Sequence, residues 1–115
     1  MRVVVQNGAQ HGLARRSVES AAAFFPPSWG RAVDTILLCT GHNLCASFHA
    51  KERVLSLSWP AQPPFPSTAE ALDTLVAALA AVAESGALPK RFSALSYLAT
   101  SQVAAATRTL VGGAA

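Results

Sequence analysis

Residues 34–59 read DTILLCTGHNLCASFHAKERVLSLSW, and the fold turns on how this stretch pairs. Three runs rich in Ile, Leu, Val and Phe are separated by Gly41-His42-Asn43 and by Lys51-Glu52. The spacing predicts strands over 34–40, 44–50 and 53–59, joined as a meander. Pairing Thr40 with Leu44 sets Leu38 opposite Ala46 and Ile36 opposite Phe48. Pairing Ala50 with Arg53 sets Phe48 opposite Leu55, Ala46 opposite Leu57 and Leu44 opposite Trp59. Both turns give the same two faces. One carries Ile36, Leu38, Leu44, Ala46, Phe48, Leu55, Leu57 and Trp59. The other carries Thr35, Leu37, Cys39, Cys45, Ser47, His49, Val54, Ser56 and Ser58. A slip of one residue would exchange the faces, so this agreement fixes the register.

Outward from the meander, residues 2–7 read as a strand of three valines ended by Asn7-Gly8. Residues 12–25 read as a helix with Leu13, Val18, Ala21, Ala22 and Phe25 at helical spacing; Pro26-Pro27 ends it. A proline-rich loop over 60–67 leads to a helix capped by Ser67 or Thr68, with Glu70 in its first turn and Gly86 as its stop. Alanines and valines leave that helix apolar nearly all round, the pattern of a buried central helix. A last helix is predicted over 92–110. The expected fold is α+β: a small, mainly antiparallel sheet with three helices in the order β-α-β-β-β-α-α. A chain of 115 residues makes one domain over 1–115, with room for a core that needs no staples.

Charged residues are only 13% of the chain, about half the usual share, so long stretches of surface carry no charge and favour a protein partner or self-association. The net charge of +3 comes from scattered Arg and Lys with no basic stripe, which argues against nucleic acid. The longest near-apolar run, Leu75 to Ala83, falls short of the ~20 residues a membrane span requires. A cytoplasmic chain with reduced cysteines is the expectation.

Chemistry concentrates in Cys39, His42, Cys45 and His49. In the meander, Cys39 and Cys45 stand opposite each other about 5 Å apart, with His42 at the turn. His49 lies about 13 Å along the strand from Cys45, too far to join them. The hairpin thus offers three zinc ligands where a structural site takes four. It also offers a thiolate–imidazole pair of Cys39 or Cys45 with His42, lacking an evident third group beyond Asn43 or Asp34. Under oxidising conditions it offers a strained cross-strand disulfide. The plainest reading is two small, soft residues on a half-covered sheet face beside two polar histidines. On that reading no catalytic, cofactor-binding or metal residue is assigned.

Gly8-Ala9-Gln10-His11-Gly12 sits between a strand and a helix, where phosphate loops sit, but lacks both the dinucleotide fingerprint and the Gly-Lys-Ser/Thr of a P-loop. Asp34, Glu52, Glu70, Asp73 and Glu84 form no acid–base pair. The order of elements resembles the minimal zincin metallopeptidase scaffold, whose central helix carries His-Glu-x-x-His. The corresponding stretch here, Leu75 to Glu84, has no histidine, and Phe92 to Leu110 has no carboxylate. The resemblance therefore implies a scaffold without its catalytic zinc.

The functional expectation is a non-enzymatic accessory or interaction domain whose partner is another protein or a second copy. The alternative is a hydrolase or redox enzyme using Cys39 or Cys45 with His42.

Overall fold

The computed structural model describes residues 1–113. Strand β1 (Arg2–Val5) is followed by helices α1 (Arg15–Ala22) and α2 (Pro27–Ala32), then strands β2 (Thr35–Gly41), β3 (Cys45–His49) and β4 (Val54–Pro60). Helices α3 (Thr68–Ser85), α4 (Ala94–Thr100) and α5 (Gln102–Gly113) follow. The α+β class holds, with two more helices than expected.

The sheet order is β1-β2-β4-β3. The first two pairs are parallel and only β3–β4 is antiparallel, so the sheet is mixed rather than mainly antiparallel. The expected β3–β4 register is present, with Ala46 opposite Leu57 and Phe48 opposite Leu55. The β2–β3 hairpin is not. Strand β4 lies between those strands and pairs with β2 along seven residues, Thr35↔Val54 to Gly41↔Pro60.

Burial explains the insertion. In β4, Leu55 and Leu57 are fully buried and Trp59 nearly so, more apolar surface than either edge strand buries. In β3, only Ala46 and Phe48 face the core, and both remain partly exposed. The richer strand takes the centre and the poorer one the edge. Where a tight turn over Gly41-His42-Asn43 was expected, the three residues His42 to Leu44 instead cross the end of β4.

The face sorting survives this rearrangement, because both registers keep the same parity. Ile36, Leu38, Leu55 and Leu57 have no exposed surface and pack in the core with Leu75, Val76, Leu79 and Val82 of α3. Across the sheet, Leu37, Cys39, Val54, Ser56 and Ser58 are half-buried, while Val4, Cys45, Ser47 and His49 are exposed. The sheet thus has one covered face and one open face.

Local signals set the helix ends. The Ser67 side chain accepts from the Glu70 amide at 3.1 Å, and Gly86, at φ 76°, ends α3 with its amide on the Val82 carbonyl. Pro27 occupies the first turn of α2, where a missing amide hydrogen costs nothing, so the second of two prolines starts a helix after the first has ended one. That short helix buries Trp29, whose ring lies 5.2 Å from Phe25.

The predicted final helix breaks at Ser101, whose backbone is extended (φ −94°, ψ 116°). Its hydroxyl accepts from the Ala104 amide and caps α5, an alternative to continuing the helix that serine readily takes. Glu84 of α3 holds the break by accepting from the hydroxyls of Tyr97 and Ser101. Burial, and then the Glu84 carboxylate, push the Tyr97 phenol up to about 12.

Candidate functional site

Cys39, on β2, and Cys45, on β3, both pair with Ser58 of β4. They share one row of the open face but flank the central strand instead of each other. Two strand spacings put their Cα atoms about 9.5 Å apart, beyond disulfide reach. Both sulfurs lean on β4. The Cys39 thiol points to the Leu57 carbonyl at 3.7 Å, and Cys45 Sγ lies 3.1 Å from Ser58 Oγ. The Ser58 hydroxyl donates to the Asn43 carbonyl at 2.6 Å, which ties the crossing segment down over the strand. The expected neighbouring cysteines are thus replaced by a Cys–Ser–Cys row.

His42 lies exposed on the crossing segment, and His49 stands opposite Val54 at the far end of β3, apart from both sulfurs. Among the described residues, no three His, Cys, Asp or Glu side chains gather as a metal site would require. Burial, and then the charge of Cys45, raise the Cys39 thiol, the reverse of what an activated nucleophile needs.

A thiol-reactive aromatic disulfide at neutral pH is therefore expected to modify the exposed Cys45 first and Cys39 more slowly. Mild oxidation of the monomer should leave its mass without the loss of two hydrogens that an internal bridge would cause. A bridged monomer by mass spectrometry would contradict the two-strand separation.

The β1–α1 loop does not present a phosphate cradle. Gly8 (φ 78°) turns the chain after β1, but the Ala9 amide already donates to the Gln6 carbonyl and the Gln10 amide to the Thr40 hydroxyl. These amides are spent on closing the loop. The side chain that matters there is His11, which the sequence reading did not single out. Its Nδ1 accepts from the Leu13 amide at 3.0 Å, which leaves the proton on Nε2 to donate to the Leu57 carbonyl, also at 3.0 Å. Its ring lies 5.5 Å from that of Trp59. One imidazole thus staples the loop to β4. The only signal in the sequence was a histidine beside Gly12, the residue that the Trp59 ring packs against.

Burial lowers the His11 pKa from 6.5, against the opposing pull of the Leu57 carbonyl. Protonating Nδ1 also breaks the bond from Leu13. A folded-state pKa below the unfolded one means that the unfolded chain binds more protons on acidification. The contribution is therefore fully present above pH 6.5 and is lost as pH falls from 6.5 through the lower folded value. Urea midpoints measured between about pH 5 and 7 should fall on the acid side, and fall less in His11→Gln. Parallel slopes in the two proteins would exclude His11 as the source.

A cleft of 510 Å³ runs beside α1, lined by Leu13, Ala21, Phe24, Leu72 and Val111 with the hydroxyls of Ser17, Ser20 and Thr68. It holds no titratable group. No helix among the described residues is long and apolar enough to cross a membrane. Three comparisons, with protein-family models, with curated proteins and with solved structures, found no match to this chain.

Proposed function

We propose that the chain is a non-enzymatic interaction domain of the cytoplasm that docks another protein, or itself, through the open side of its sheet. The observation that carries this reading is that the large, fully buried sheet side chains Ile36, Leu38, Leu55 and Leu57 lie on one face. The other face offers a half-buried, uncharged centre of Leu37, Cys39, Val54, Ser56 and Ser58. Surfaces of this kind, depleted of charge at the centre, suit a protein partner. Charged side chains and histidine sit only at its margin, with Arg2 near Asp34 at one corner and His49 at another.

The zincin-like reading belongs to the same proposal. The central helix α3 buries Ala71 and the run from Leu75 to Val82, and its Asp73 is engaged with Arg108 at 2.8 Å. A helix so occupied supports a scaffold devoted to packing. The cysteine-enzyme alternative gains no support from a thiol whose pKa is raised.

The test places a photoreactive residue at Ser56, on the open face, and in a separate protein at Thr109, exposed on α5. A defined protein adduct from Ser56 alone, abolished by Leu37→Lys with the far-ultraviolet spectrum unchanged, is the expected result. Identical adducts from both positions would overturn the reading.

A further inference from the structure

The interaction reading can be made more specific at the edge of the sheet. Among the described residues, strand β3 has one strand neighbour, β4, and no strand on its outer side. An unpaired edge is a template for another strand, and proteins commonly blunt it with Lys, Pro, an inward charge or a bulge. Cys45-Ala46-Ser47-Phe48-His49 has no Pro, Lys, Arg, Asp or Glu, and its five residues pair with β4 one for one. The opposite edge differs. Strand β1 is a residue shorter and begins with Arg2, which reaches the Asp34 carboxylate and the Thr35 hydroxyl.

We propose that β3 pairs with β3 of a second copy, antiparallel, about a two-fold axis through Ser47. The proposal rests on the interaction reading and names its partner. A two-fold axis normal to the sheet keeps each face on its own side, so inward residues must meet inward residues. The register that overlaps all five residues does this. On the covered face it sets Ala46 against Phe48 of the second copy, small against large, twice. On the open face it sets Cys45 against His49 of the second copy, and Ser47 against its own counterpart. Neither histidine faces its own copy.

Charge does not oppose this register. Cys45 to His49 carries no Lys, Arg, Asp or Glu, and antiparallel pairing puts the Lys51-Glu52 turn of each copy at the same end as the His42-Asn43 crossing of the other. A five-residue edge is small against the roughly 800 Å² per partner of a standard interface, so the dimer dissociates on dilution. Its product is one continuous eight-stranded sheet with a doubled open face.

Sedimentation velocity over a concentration series tests this directly. The wild type should move from the mass of one chain toward that of two as concentration rises. Ser47→Asp places two carboxylates opposite each other at the axis. That variant should stay at one chain with an unchanged far-ultraviolet spectrum. In a background of Cys39→Ser and Cys45→Ser, Ser47→Cys should form a covalent dimer on oxidation. In the same background Ser56→Cys should not, because its counterpart lies three strand spacings away, about 14 Å.

One-chain mass at every concentration overturns the proposal. So does a dimer that ignores Ser47→Asp and fails to cross-link through Ser47→Cys. In either case, a Ser56 photoadduct still abolished by Leu37→Lys leaves the broader interaction reading standing, so the two failures are distinguishable.

Discussion

Gly12→Ala is expected to destabilise the fold by about 1–3 kcal/mol, a large share of the ~5–15 kcal/mol that holds a domain of this size together. A Cβ at Gly12 would lie well inside van der Waals contact of the outer edge of the Trp59 ring, at Cη2, Cζ2 and Cζ3. That ring is not free to yield. His11 packs at 5.5 Å, and Phe65 stacks on it at 6.3 Å, nearly parallel. Moving the indole loosens both contacts and disturbs the end of β4, to which His11 is bonded through Leu57. The check is a urea titration against Gly30→Ala. Gly30 lies in α2 with open space around its Cβ position, and alanine there should raise stability by up to about 1 kcal/mol. Midpoints that shift the same way in both variants would show that space at Trp59 does not decide the outcome.

Trp29→Ala is expected to cost about 3–5 kcal/mol, enough to leave a substantial unfolded fraction. Trp29 is 2% exposed, packs at a tilt against Phe25 and belongs to the core that α3 shares with the sheet. The six-residue helix that carries it has almost no stability of its own, since helices this short are marginal without packing. Removing the indole should therefore loosen α2 as well as open a cavity. Thermal and urea unfolding of Trp29→Ala and Trp29→Phe separate the terms. Phenylalanine should recover much of the loss by refilling part of the volume; equal losses would mean that the indole itself is required.

Much of this architecture was legible in residues 34–59. Face sorting and the β3–β4 register followed from side-chain parity and a local turn, both of which act over a few residues. The placement of β4 was not legible by the same means. A meander pairs each strand with its successor. Here the leucines of β4 gain more from a central position than β2 and β3 gain from pairing with each other, and that comparison involves the whole sheet. The distance between the cysteines was lost with it: their row was right and their separation wrong by one strand. The caps at Ser67 and Gly86 were legible because each acts within its own helix terminus. The break at Ser101 was not, because Glu84 from α3 holds it in place. His11 escaped notice for a related reason: both of its backbone partners belong to one histidine, but only the fold brings Leu57 to it.

The position of β4 also governs when the sheet can exist. Among the described residues β3 has no strand partner other than β4, and β2 does not pair with β3. A nascent chain that has reached residue 53 holds three of its four strands, yet only β1 and β2 can pair. The hairpin closes locally once β4 emerges, whereas the β2–β4 pairing joins residues 19 positions apart, Thr35 to Val54, and must close a longer loop. The last strand made is the one that joins the other three. Until residue 60 is available, the leucines of β2 have one flank unpaired, and β3 has no ladder.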